Sequence, residues 1–153
     1  MGNHEYYTAG ASGYFTYFED RASPTESGCT VNCKGYYSYD LGTWHVVVLN
    51  SNCAEVGGCE ASSARGQWLK DDLAAHPNAC TLAYFHHPRF TSAKLGNNSA
   101  VAPFWEALYD AGAEVVLNNG HAHVYERFAP QTPGGQADPQ AGIFFGASDL
   151  PFR

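Results

Sequence analysis

Histidines in this chain gather where metal chemistry is possible: His4 within Gly2-Asn3-His4-Glu5, the pair His86-His87 before Pro88, and His121-Ala122-His123 directly after Gly120. Neutral imidazole nitrogens, joined by a few oxygen donors, suit zinc, iron or manganese without selecting one of them. Two imidazoles at i and i+2 in a rigid loop can reach adjacent metals, or stand on either side of one bridging oxygen. Gly120 assists, because a residue without a Cβ lets the backbone approach such a centre closely. A lone His-x-His is more often a surface or core feature. Here the order and combination of the three clusters point to a site.

The segments that carry these residues read as an alternating α/β chain. Residues 6–43 are rich in Tyr, Gly, Ser and Thr without helical period and read as a long loop region, with strand-like composition at Tyr36-Tyr37-Ser38-Tyr39-Asp40. The β-branched run 44–49 predicts a buried strand that ends at the turn signal Asn50-Ser51-Asn52. Helical spacing of Trp68, Leu69, Asp72 and Leu73 predicts a helix over 67–75, stopped by Pro77. A second apolar strand over 80–85 runs into His86. A helix over 100–110 tolerates Pro103 in its first turn and ends before Gly112. The strand over 114–117 leads to Asn118-Asn119-Gly120-His121, residues 131–140 form a Pro/Gly-rich loop, and 143–147 is a brief final strand. In α/β folds the loops at the carboxyl ends of strands hold the site, and two of these strands end in a histidine loop.

Composition narrows the function classes. A net charge of -7 with eight Lys plus Arg argues against nucleic-acid partners, whose phosphates require a basic surface. No apolar run approaches the roughly 20 residues of a membrane span, and no secretory signal pattern follows Met1. The length suits one domain or part of one, here residues 1–153. Five cysteines imply an oxidising compartment: Cys29/Cys33 and Cys53/Cys59 lie in loops suited to short-range disulfides, which leaves Cys80 over. A four-cysteine zinc site is the weaker alternative, since neither spacing is the tight Cys-x2-Cys knuckle.

Gly2-Asn3-His4-Glu5, a strand ending at His86-x-Pro88, and Gly120-His121-Ala122-His123 followed by Val124-Tyr125-Glu126-Arg127 together resemble the calcineurin-like metallophosphoesterases, especially their purple acid phosphatase-like branch. The resemblance implies a four-layer αββα sandwich with mixed sheets, of which this chain would hold about one sheet. It further implies metal-assisted hydrolysis of phosphate mono- or diesters at a centre of two divalent or Fe/Zn/Mn-type ions, because paired cations neutralise phosphate charge and make a hydroxide nucleophile available near neutral pH. Asn3, His86 and His121 would hold one metal and His123 the other. His4 would be the catalytic group near the leaving oxygen, stabilising the transferring phosphoryl group or protonating the departing alcohol.

The departures from that pattern carry their own expectation. The family's earlier motifs supply one metal's aspartate and the carboxylate that bridges both ions, and no Gly-Asp pair occurs in this sequence. The chain is therefore expected to represent the carboxyl-side portion of a catalytic domain. A complete site would need the amino-terminal half or a second subunit, and the isolated chain would hold one metal or none. Residues 149–153 do not align with the family. The alternative function is a non-catalytic, single-metal-binding fragment or pseudoenzyme. The parent protein is expected to be secreted or periplasmic, acting on a phosphate ester without a membrane span.

Other residues receive more modest roles. Glu5, His87, Tyr125, Glu126 and Arg127 are expected beside the site or on substrate, with Glu126 and Arg127 paired to orient the histidine loop. His45 is expected to be a satisfied core histidine, and His76 to favour the negative end of a helix dipole.

Overall fold

The computed structural model describes residues 1–22, 35–77, 80–141 and 143–147. One mixed sheet of six strands organises them: β1 (Tyr37–Leu41), β2 (Trp44–Val48), β3 (Cys80–Phe85), β4 (Val115–Asn119), β5 (Glu126–Arg127) and β6 (Ile143–Ala147), in the spatial order β1-β2-β3-β4-β6-β5. β2, β3, β4 and β6 run parallel, with Val46 opposite Leu82 and Ala83 opposite Val116. The edge strands β1 and β5 pair antiparallel to their neighbours. A tight turn joins β1 to β2, and Gly42 adopts the φ of 63° that a side chain would resist there.

α2 (Ala64–Ala75) links β2 to β3 and α3 (Ala102–Asp110) links β3 to β4. Ser63 caps α2 by accepting the Gly66 amide at 3.1 Å, and a proline in the first turn of α3 occupies a position whose amide has no helical partner. Both helices cover one face of the sheet. Trp68, Leu69 and Leu73 from α2 join Phe104, Trp105 and Leu108 from α3 against Val47, Ala83, Phe85 and Val116. At roughly 1.5–3 kcal/mol per fully buried large apolar side chain, this layer is the main source of stability. On the opposite face Leu82, Tyr84, Val115 and Leu117 are only half-buried.

The α/β class and mixed sheet agree with the expectation, and the helices and strands predicted after residue 44 occur within a few residues of their expected ends. The amino-terminal segment does not fit the reading as a loop. Residues 4–22 hold three 3-10 turns and a short helix α1 (Ser12–Phe18). No side chain of α1 is buried, so the apolar periodicity that reveals other helices is missing. What the sequence does show is Tyr14 and Phe18 one turn apart, and their rings pack at 4.5 Å. Cys53 and Cys59 form a disulfide and Cys80 is free and exposed. The expected Cys29/Cys33 pairing and the unaligned residues 149–153 lie outside the described residues.

Candidate metal centre

Because β2, β3 and β4 run parallel, their carboxyl ends open onto one edge of the sheet. Asn50, His86 and Gly120 follow at that edge. The amino-terminal turn His4–Tyr7 folds over it. The result is a cavity of about 490 Å³ lined by Met1, Gly2, Asn3, His4, Glu5, His86, His121 and His123. All five residues expected to ligate metal or act on the leaving group, Asn3, His4, His86, His121 and His123, therefore share one cavity.

His86 is its centre. Nε2 lies 2.9 Å from Oδ1 of Asn3, and its ring stands 5.3 Å from that of His121. A Cβ at Gly120 would fall 2.4 Å from Nδ1 of His86, and one at Gly2 would fall 2.9 Å from it. Both glycines are thus required by the close approach of backbone to this imidazole. His121 and His123 hold φ values of 65° and 52°, the left-handed region that L-residues enter at a cost. Two such residues flanking one alanine are held there by their surroundings, a pattern that clusters at ligand clamps.

Electrostatics favour neutral donors. Burial, followed by the positive charges of His121 and other neighbours, pushes His86 down to about 4. His87 is likewise pushed down to about 4, by burial and then by His121 and His86. Burial lowers His121 too, helped by His123 and His4. Imidazoles that resist protonation near neutral pH, together with an amide oxygen, are a donor set for a borderline divalent ion. The ring nitrogens of His86, His87 and His121 already lie within 4.8 Å of one another.

The turn that carries Asn3 and His4 is fastened rather than loose. Asn52 Nδ2 donates to the Gly2 carbonyl at 3.2 Å, and Asn50 Nδ2 donates to Tyr6 Oη at 2.8 Å. Asn50 is itself fixed, since its Oδ1 accepts from Asn52 Nδ2 at 2.9 Å. Beneath this loop lies Arg65, 2% exposed, whose guanidinium donates to the carbonyls of Asn50, Val56 and Gly58. Burial lowers its pKa to about 10. Asn50, Asn52 and Arg65 were not among the expected site residues. The signal available for the asparagines was their position at the carboxyl end of a buried parallel strand, the same rule that singled out His86.

The residues expected beside the centre separate. Glu5 lines the cavity, and its Oε2 accepts the Gly2 amide at 2.5 Å. His87 turns to Ser51: the Ser51 hydroxyl accepts the His87 amide at 3.0 Å and meets Nδ1 at 2.8 Å. Tyr125 is 65% exposed and, like Arg127, is not among the residues lining the cavity. The Glu126 carboxylate accepts from Thr91 Oγ1 at 2.5 Å and from the Ser92 amide at 2.8 Å.

No family model matches the chain. Among curated proteins it is 33% identical over 134 residues to purple acid phosphatase 15 of Arabidopsis thaliana, covering 82% of this chain and 24% of that protein. It is 32% identical over 131 residues to purple acid phosphatase 22 of the same plant, covering 82% of this chain and 28% of the relative. Its fold matches a structure of purple acid phosphatase PPD1 from yellow lupin (Lupinus luteus) seeds, with a TM-score of 0.63 at 13% identity, over 80% of this chain and 24% of that one. The chain thus spans about a quarter of the length of the relatives it matches.

Proposed function

From the premise that this chain is a purple acid phosphatase-like metallophosphoesterase segment, we propose that it contributes part of a dinuclear centre that hydrolyses phosphate esters. The observation that carries the reading is that Asn3, His86, His121 and His123, from three separate stretches of sequence, line one cavity. Asn3 Oδ1, His86 and His121 would hold one ion, and His123 would contribute to the second. The ions would supply charge neutralisation of the phosphoryl group and a nucleophile near neutral pH. His4, on the same wall, would hand a proton to the departing alcohol. Gly2 and Gly120 keep the His86 ring seated against backbone, and the strained His121-Ala122-His123 turn presents its imidazoles without a reorganisation step.

The half-buried sheet face formed by Leu82, Tyr84, Val115 and Leu117 supports the same reading, because a second sheet of an αββα sandwich would pack there. The missing carboxylates would then come from an amino-terminal half or another subunit. The Cys53–Cys59 disulfide supports a secreted or periplasmic parent protein.

A second reading, a non-catalytic protein binding one metal, draws on one observation. Glu5 is the only carboxylate lining the cavity among the described residues, and it is committed to the Gly2 amide. Two cations held close together without a bridging anion repel strongly. Elemental analysis of the purified chain, combined with p-nitrophenyl phosphate hydrolysis in the presence of Zn, Fe or Mn, separates the two. Metal-dependent turnover supports the phosphoesterase as it stands, whereas one bound ion that is lost on His86→Ala, without turnover, supports the single-metal reading for the isolated chain.

A further inference from the structure

The opposite end of the sheet carries a second cluster of metal-ligating groups. His45, near the start of β2, is 1% exposed, and both its ring nitrogens face carboxylates: Nδ1 lies 2.9 Å from Asp40 Oδ1, and Nε2 lies 2.8 Å from Asp72 Oδ2. An ionised carboxylate only accepts hydrogen bonds, and a neutral imidazole carries a single N–H. One of the two edges is therefore met by a second ring proton, or by a metal ion standing in its place.

The two edges differ in access. Asp72 is 10% exposed and also accepts from Ser38 Oγ at 2.7 Å, so the Nε2 edge is closed and is the natural place for the N–H. Asp40 is 65% exposed and borders a cavity of about 300 Å³ lined also by Gly42, Thr43, Trp44 and His76. His76 stacks on His45 with ring centroids 3.8 Å apart. Its Nδ1 donates to the Asp72 carbonyl at 2.8 Å, which leaves Nε2 as a donor to an ion.

We propose that Asp40, His45 and His76 form a binding site for a zinc-class divalent cation, separate from the histidine cavity. The donor atoms lie within 4.8 Å of one another. Ligands around one zinc ion at about 2.0–2.2 Å stand roughly 3 Å apart and lie near each imidazole plane, so binding requires the His76 ring to rotate out of its stack on His45 and Asp40 to shift by on the order of 1 Å. Both side chains have room for this, His76 being about one-third exposed. Asp72 then acts as the outer carboxylate that fixes the tautomer of His45 and raises its basicity, as carboxylates do for metal-bound histidines. Ser38 holds Asp72 in turn. Water from the open cavity completes the shell. His45 is level with Thr81 on β3, five residues before His86, which places the two sites roughly 16 Å apart at about 3.3 Å per residue.

The test is zinc stoichiometry of the full chain by equilibrium dialysis. Asp40→Asn and His76→Gln, both at the surface, are each expected to lower bound zinc by one equivalent, with the far-UV circular dichroism spectrum unchanged. His86→Ala is expected to retain that equivalent. Equal zinc in wild type, Asp40→Asn and His76→Gln would overturn the proposal and leave His45 as a doubly hydrogen-bonded imidazolium. If one substitution unfolds the chain, the other decides.

Discussion

Nε2 of His86 and Oδ1 of Asn3 stand 2.9 Å apart although 83 residues separate them in sequence. The sheet places the imidazole at the end of β3, and the asparagine ladder at Asn50 and Asn52 brings the amino-terminal turn back to meet it. The contact joins two sequence clusters into one cavity. Gly120 is what allows it. Gly120→Ala would drive a Cβ to 2.4 Å from Nδ1 of His86 and force that ring to move. Zinc affinity should fall by about 10–100-fold, the usual scale for disturbing the support of a metal ligand. An unchanged binding isotherm would count against His86 as a ligand.

His4 tests the division of labour inside the cavity. Its ring stacks on Tyr7 at 4.8 Å rather than on another histidine. On the proposed function, in a preparation that shows metal-dependent turnover, His4→Ala should lower turnover by about 10²–10⁴-fold, as expected for removal of a general acid. Metal content should stay at the wild-type level. Simultaneous loss of metal would place His4 among the ligands instead.

Much of this centre was legible because two of the histidine clusters, at His86 and at His121, lie at strand ends with a proline or a glycine beside them. The apolar runs at Leu82-Ala83 and Val115-Val116-Leu117 mark the strands from whose ends His86 and His121 emerge. The supporting layer was less visible. Arg65 sits on a helix where a charged residue ordinarily faces solvent, and nothing local indicates that it turns inward to three loop carbonyls. Helix α1 carries no apolar periodicity because it buries no side chain. The hydrogen bonds from Thr91 and Ser92 to Glu126 span some 35 residues of sequence, a contact with no local signal.

Arg65 should be the most sensitive residue outside the cavity. Its guanidinium lies 5.7 Å from the Phe104 ring and 6.0 Å from that of Tyr36 while satisfying the carbonyls of the 50–58 loop. Arg65→Met keeps much of the volume but strips those carbonyls of donors. Unfolding in urea should show a loss of about 3 kcal/mol, given roughly 1–3 kcal/mol for each buried group left unsatisfied. A change below about 0.5 kcal/mol would mean that the loop does not depend on it.

Glu126 gives a pH signature. Burial pushes its carboxyl up, but hydrogen bonds from Ser92 and Thr91 outweigh this and hold it below the ordinary glutamate value of 4.5. A depressed folded-state pKa contributes stability above the unfolded value, and the contribution disappears as pH falls through the folded one. Wild type should therefore lose stability relative to Glu126→Gln as pH drops from about 6 to 3. The difference at neutral pH should be about 1 kcal/mol for this half-buried group. Parallel pH profiles for the two proteins would contradict the role given to Glu126.

Zinc binding in an Asp40→Asn background, where the site at the opposite end of the sheet is removed, tests the histidine cavity most directly. The account predicts one remaining equivalent, whose affinity falls on adding His86→Ala by more than the roughly 10–100-fold that loss of an outer-shell partner costs. Identical isotherms with and without His86 would contradict it.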